Sequence, residues 1–227
     1  MYRCCIFDLD GTLVNSIWAL TKSVNDTMEQ FGIAPIDSEL CKRFVGEGYK
    51  KLVERALIHG GDTKLVHYEE ALTVYQKVFK ECCMYRVEPY EGIRELLEEL
   101  KKRGIRIAVL SNKPHARALD NVEGIFGKGY FDWISGQKEE IPRKPDPAGA
   151  FLTAEGLGVE PRECLYIGDT ATDMETGKAA GMDTVAVLWG FRGEEELRAC
   201  HPKYAVRRPG EILNLAEVSR YPACGNK

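Results

Sequence analysis

The feature that most constrains the fold is an alternation beginning near residue 91, where helix-period stretches and short apolar runs follow one another to about residue 188. Residues 91–103 carry Ile93, Leu96, Leu97 and Leu100 on one stripe, and Gly104 ends the pattern as a helix stop. An apolar run at 105–110 is followed by Ser111-Asn112-Lys113-Pro114 and a second helical stretch. The same alternation gives strands at 131–134, 164–167 and 184–188, with helices at 147–157 and 171–180, the latter closed by Gly181. Strands this apolar, separated by helices, predict an α/β class with a parallel sheet covered on both faces. The run through Cys5, Ile6 and Phe7 adds one more strand at the start of the chain.

The segment between that first strand and residue 91 breaks the pattern. It shows no convincing strand and four helical stretches, at 16–31, 37–45, 49–59 and 63–83. An all-helical block after the first strand of a sheet predicts a second domain inserted into the first. The expected division is a core of residues 1–14 and 86–227 and a helical insert of residues 15–85. The final residues, 221–227, read as a loose tail.

Composition excludes several classes of function. A net charge of -4 gives no basic face for nucleic acid, and no apolar run reaches the ~20 residues that span a bilayer. The first strand begins at the N-terminus with no room for a signal peptide, so the cytoplasm is the expected location. The eight cysteines include no Cys-x-x-Cys, and the four histidines form no close ligand pair. The cysteines therefore read as small buried hydrophobes in a reduced protein.

The chemistry concentrates in four segments. Asp8-Leu9-Asp10-Gly11-Thr12 follows the first strand, Ser111-Asn112 the next, and Gly168-Asp169-Thr170-Ala171-Thr172-Asp173 a third, while Lys144 lies on a loop entering a helix. Ligands of open α/β sheets bind outside the carboxyl ends of the strands, so all four segments are able to converge. Two carboxylates two residues apart repel one another unless a cation or a shared proton holds them. Each motif alone has an ordinary explanation: a turn at Asp10-Gly11, an N-cap at Ser111 or Asp169, a solvated lysine at 144.

In this order and spacing, the four motifs resemble the haloacid dehalogenase superfamily, and the helical insert is similar to the cap of its phosphoglycolate phosphatase-like branch. The resemblance spans residues 3 to about 213 and implies a Rossmann-like core, a Mg²⁺ cofactor and a small phosphorylated metabolite as substrate. It assigns Asp8 as nucleophile and Asp10 as general acid and then base. Ser111 and Lys144 would hold the transferring phosphoryl group, with backbone N–H groups of the segment through Leu9 and Asp10 and at Asn112. Asp8, Asp169, the Asp10 carbonyl and, directly or through water, Asp173 would hold the metal. Four carboxylates and a phosphate dianion outweigh one Mg²⁺ and Lys144, which predicts that one carboxyl, Asp10, carries a proton. Haloacid dehalogenases proper lack the second aspartate of the first motif, so Asp10 argues against that activity. Asn15 stands where the family commonly has Asp, at the expected crossing into the insert.

Substrate choice is expected to come from the insert. Phe44-Val45-Gly46-Glu47-Gly48-Tyr49 resembles the family's specificity loop, with Arg43, Lys50 and Lys51 beside it as candidate partners of a substrate carboxylate. The wording around the motifs is most similar to phosphoglycolate phosphatases. Pyrophosphatase and sugar-phosphate phosphatase are alternatives on the same core, and β-phosphoglucomutase carries an Arg where Tyr49 falls here. A non-catalytic phosphate sensor is the reading from a different class. Oligomeric state, monomer or dimer, is left open.

Overall fold

The structure is a computed structural model and describes residues 2–218, so the expected tail at 221–227 and Cys224 lie outside the described residues. Its strands are β1 (Cys4–Phe7), β2 (Val14–Asn15), β3 (Glu88–Pro89), β4 (Arg106–Pro114), β5 (Trp133–Gln137), β6 (Cys164–Gly168), β7 (Asp183–Val187) and β8 (Tyr204–Val206). Its helices are α1 (Ile17–Glu29), α2 (Ser38–Phe44), α3 (Tyr49–His59), α4 (Tyr68–Cys82), α5 (Ile93–Lys102), α6 (His115–Phe126), α7 (Ala148–Gly156), α8 (Ala171–Ala179), α9 (Glu194–Ala199) and α10 (Glu211–Val218).

Six strands form a parallel sheet in the order β5-β4-β1-β6-β7-β8. The period-two alternation of a strand distributes its side chains to two faces. Cys5 and Phe7 of β1 join Ile107, Val109, Leu165 and Ile167 in the cluster that packs on α5 and α6. Cys4 and Ile6 join Ala108, Leu110 and Tyr166 against Ala150 and Ala154 of α7. This two-sided burial is the sheet that the apolar runs predict.

Helices α1 to α4 gather around a separate apolar cluster that includes Val24, Met28, Leu52, Leu57, Tyr75 and Phe79. The chain enters and leaves this block through a two-residue antiparallel pair, Val14 opposite Pro89 and Asn15 opposite Glu88. Sequence patterning did not indicate this ribbon, because two residues are too few to show a period. Asp37 caps α2, its side chain accepting from Leu40 N–H at 2.7 Å. The last helix of the block starts at Tyr68 rather than 63; Asp62 instead takes the N–H groups of Val66 and His67 at 2.9 Å each and holds a turn there.

Two further differences concern the core. β4 runs through Ser111 to Pro114, so Ser111 and Asn112 belong to the strand end rather than to a following turn. β8, three residues long, was missed for the same reason as the ribbon. The described cysteines are all free; Cys4, Cys5, Cys41, Cys83 and Cys164 are buried as expected, while Cys82 and Cys200 are partly exposed. No helix among the described residues is long and apolar enough to cross a membrane.

Candidate active site

The strand order places the chemistry. β1 lies between β4 and β6, so the segments leaving their carboxyl ends are neighbours across the sheet edge. Asp8 follows β1 directly, its N–H donating to Ile167 O at 2.9 Å. Asp169 follows β6, and Asp173 sits on the first turn of α8, where it closes a reciprocal cap with Thr170. The loop after β5 brings Lys144 inward, and Asn112 fixes that loop by accepting from Lys144 N–H at 2.9 Å and donating to Lys144 O at 3.0 Å.

Carboxylate oxygens of Asp8, Asp169 and Asp173 all lie within 4.8 Å of one another, and all three residues are buried. Lys144 Nζ bridges two of them, donating to Asp8 Oδ1 at 2.8 Å and Asp173 Oδ1 at 2.7 Å. Asp169 accepts from Thr12 Oγ1 at 3.0 Å and Phe191 N–H at 2.8 Å. Gly11 makes this approach possible: its φ is +84°, and a Cβ there would fall 2.3 Å from Asp169 Oδ2. The N–H groups of Leu9 and Asp10 meet no acceptor among the described residues.

Like charge and burial leave their mark on the acids. Burial pushes the Asp8 carboxyl up to about 7, with Lys144 opposing the shift and Asp173 adding to it. Burial, then Asp173 and Asp8, hold the Asp169 carboxyl well above the usual carboxylate range. Burial disfavours the Lys144 ammonium, but Asp173 and Asp8 outweigh it and raise its pKa well above 10.5. Three crowded carboxylates with one ammonium form an electrostatic deficit that a divalent cation would relieve, and their hard oxygen donors suit Mg²⁺.

A pH dependence follows. The folded protein holds the Asp8 proton up to about 7 against an ordinary 3.8, so stability from that proton is complete below about pH 4 and lost as pH rises through 7. Lys144 stays charged throughout that window. Burial depresses His115, whose contribution runs the other way below 6.5, so the informative quantity is the metal-dependent difference. The rise in Tm on replacing EDTA by Mg²⁺ is expected to be larger at about pH 8 than at about pH 5, because ligands must be deprotonated to bind. An equal rise at both, measured by differential scanning fluorimetry, would contradict this account of the acids.

Sequence reasoning missed Lys113. Its side chain is only 2% exposed, and its Nζ lies 2.8 Å from Asp10 Oδ1. The charge comparison that left Asp10 as the holder of a proton omitted this second ammonium, and in this structure Asp10 is ion-paired. Nothing in the pattern Ser-Asn-Lys-Pro signals the contact, since a lysine near a strand end is normally solvated.

The specificity-loop residues divide. Gly46, Gly48 and Tyr49 line a cavity of about 50 Å³ together with Asp8, Asp10, Ser111, Asn112, Lys113 and Lys144. Glu47 turns away to Arg55. Arg43 is exposed, and Lys50 is exposed beside an outer cleft, so neither lines the cavity. In this structure α2 and α3 direct both side chains outward. The loop is instead tied to the sheet side: Asn112 Nδ2 donates to Gly46 O at 3.2 Å, Arg143 to Glu47 O at 3.3 Å and Arg192 to Val45 O at 2.7 Å.

A parallel sheet with a buried acid cluster and a lysine at its carboxyl edge defines a class of hydrolase, and the haloacid dehalogenase-like hydrolase family matches residues 5–187. The chain belongs to that family and is a phosphatase. It is 32% identical to a phosphoglycolate phosphatase of Aquifex aeolicus over 95% of this chain and 97% of that one. It is 36% identical to a phosphoglycolate phosphatase of Rhodospirillum rubrum, covering 86% and 83%. A crystal structure from Lactobacillus delbrueckii subsp. bulgaricus, described as a candidate phosphoglycolate phosphatase, superposes with a TM-score of 0.88 at 31% identity over 94% and 98% of the two chains.

Proposed function

We propose that the protein is a cytoplasmic, Mg²⁺-dependent phosphatase acting on a small phosphate monoester through a phosphoryl group carried on Asp8, with 2-phosphoglycolate as substrate. The observation that carries this reading is the convergence of Asp8, Asp169 and Asp173 on one point with Lys144 between Asp8 and Asp173. The similarity to phosphoglycolate phosphatases along nearly the full chain supports the choice of ester. Residues 15–85 act as a cap over a core of residues 1–14 and 86–227.

Asp8, Asp169, Asp173 and the Asp10 carbonyl would hold Mg²⁺, which when bound neutralises charge on the transferring phosphoryl oxygens. The remaining work belongs to the chain. The free N–H groups of Leu9 and Asp10, the Ser111 hydroxyl, the backbone at Asn112 and the Lys144 ammonium orient the phosphoryl group in line with Asp8. An Asp8 oxygen forms the new bond to phosphorus as the ester P–O bond breaks. Asp10 takes up a proton as the substrate dianion enters and gives it to the departing alkoxide. Water then attacks phosphorus, Asp10 takes the water proton, and phosphate leaves with Asp8 restored. The aromatic wall of Tyr49, Tyr75 and Phe79 keeps bulk water out.

Removing the proton carrier while keeping its shape isolates this role. Asp10→Asn is expected to bind substrate with little change in KM and to lower kcat by about 10²- to 10⁴-fold. Turnover close to wild type would remove Asp10 from the mechanism. The substrate assignment is tested by comparing kcat/KM for 2-phosphoglycolate, pyrophosphate and several sugar phosphates in Mg²⁺. Phosphoglycolate is expected to lead by at least about tenfold; a higher value for pyrophosphate or a sugar phosphate overturns the assignment.

A further inference from the structure

The cations that the sequence offers for a substrate carboxylate do not reach the cavity. Arg43 and Lys50 point outward, and Lys51 is exposed and paired with Glu54 at 2.8 Å. Arg143 and Arg192 are occupied with carbonyls of the 42–48 segment. Among the described residues lining the cavity there are two ammonium groups. Lys144 is committed to Asp8 and Asp173. Lys113 reaches the cavity from β4 with Asp10 as its carboxylate partner, its Nζ 5.1 Å from the Phe79 ring centroid.

A second group faces the same space. Tyr75 is 1% exposed, lines the cavity, and its hydroxyl is buried with no hydrogen-bond partner. Its ring is stacked between Tyr49, at 5.7 Å, and Phe79, at 5.4 Å, which fixes its direction. An orphaned buried hydroxyl is destabilising, and that cost is removed when a ligand supplies the missing partner. No phosphoryl-transfer step uses the Lys113 ammonium or the Tyr75 hydroxyl.

We propose that Lys113 and Tyr75 form the receptor for a carboxylate on the alcohol side of the substrate, and that Lys113 transfers from Asp10 to that carboxylate when substrate binds. The inference rests on the phosphatase reading of the site and deepens it by assigning the leaving group a class: a small hydroxy acid. The geometry links the two roles. Asp10 must touch the ester oxygen, and in phosphoglycolate the carboxyl carbon is two bonds from that oxygen. A lysine within 2.8 Å of Asp10 is therefore within reach of that carboxylate. Moving the ammonium across frees Asp10 to face the leaving oxygen, so an ester with a carboxylate completes the site and a neutral ester leaves Lys113 on Asp10. The core strand, rather than the cap's lysines and arginine, then reads the acid.

The test is the ratio of kcat/KM for 2-phosphoglycolate to that for ethyl phosphate, a near-isosteric ester without the charge. Wild type is expected to favour phosphoglycolate by about 10- to 100-fold, the range of one or two charge-assisted hydrogen bonds. Lys113→Gln should bring the ratio to within about threefold of unity, Tyr75→Phe should lower it severalfold, and Lys113→Arg should restore part of it. An unchanged ratio in Lys113→Gln overturns the proposal and leaves Lys113 as a counter-ion of Asp10. Should Lys113→Gln fold poorly, Tyr75→Phe and the inhibition of wild type by glycolate against ethylene glycol decide the matter; equal inhibition overturns it. Wild type preferring a different anionic ester, with neutral esters still poor, would sink the phosphoglycolate assignment and retain the receptor. If wild type hydrolysed no ester, calorimetry of both esters on Asp8→Asn with and without Lys113→Gln would read the receptor alone. Equal affinities there would reject it.

Discussion

Asp8→Asn is expected to abolish Mg²⁺-dependent hydrolysis of p-nitrophenyl phosphate, lowering kcat by on the order of 10⁴-fold or more. The amide keeps the shape of the carboxylate but offers no nucleophilic anion. The same change removes one of three carboxylates within 4.8 Å of one another. Asp8 is driven up to about 7 mainly by burial, so neutralising it relieves a strained charge. The metal-free variant is therefore expected to melt no lower than wild type at about pH 8. Lost activity with an unchanged or higher Tm separates missing chemistry from unfolding. Residual turnover within tenfold of wild type would place the nucleophile elsewhere. A lower metal-free Tm would show that the Asp8 carboxylate is net stabilising.

Lys144→Met should have the opposite effect on stability. Lys144 is 5% exposed and is the ammonium that holds Asp8 and Asp173 together. Removing one side of a buried charge cluster leaves the other side uncompensated, at a cost of about 3–5 kcal/mol. Urea unfolding in EDTA at about pH 8 should show that loss, and Mg²⁺ should recover part of it by supplying positive charge at the same place. Activity should fall by about 10²- to 10³-fold even with saturating metal, if the ammonium also orients the transferring phosphoryl group as proposed. A loss of stability under about 1 kcal/mol would mean that the cluster is held as neutral acids. Together the two variants assign the cluster its sign: one removes a surplus negative charge, the other the charge that tolerates it.

The parts of the fold legible in the sequence are those with a period long enough to register. The stripe through Ile93, Leu96, Leu97 and Leu100 became α5, all four buried, and the apolar runs became β1, β4, β6 and β7. The ribbon of β2 and β3 and the three-residue β8 were not legible, since pairing partners rather than pattern define them. Within the site, Asp8, Ser111, Lys144, Asp169 and Asp173 were legible because each stands at a turn following a predicted strand or opening a predicted helix. Lys113 and Tyr75 were not: one looks like surface and the other like core.

What the sequence determined by itself was which side chains gather at the sheet edge, because groups placed at strand ends of a parallel sheet converge wherever the sheet goes. It also determined that a helical block interrupts the chain after β1. Only the tertiary structure decided which charges meet. The way α2 and α3 pack turns Arg43, Lys50 and Lys51 outward, and the length of β4 carries Lys113 inward to Asp10 at 2.8 Å. A carboxylate's partner depends on distance and burial, and a one-dimensional pattern records neither.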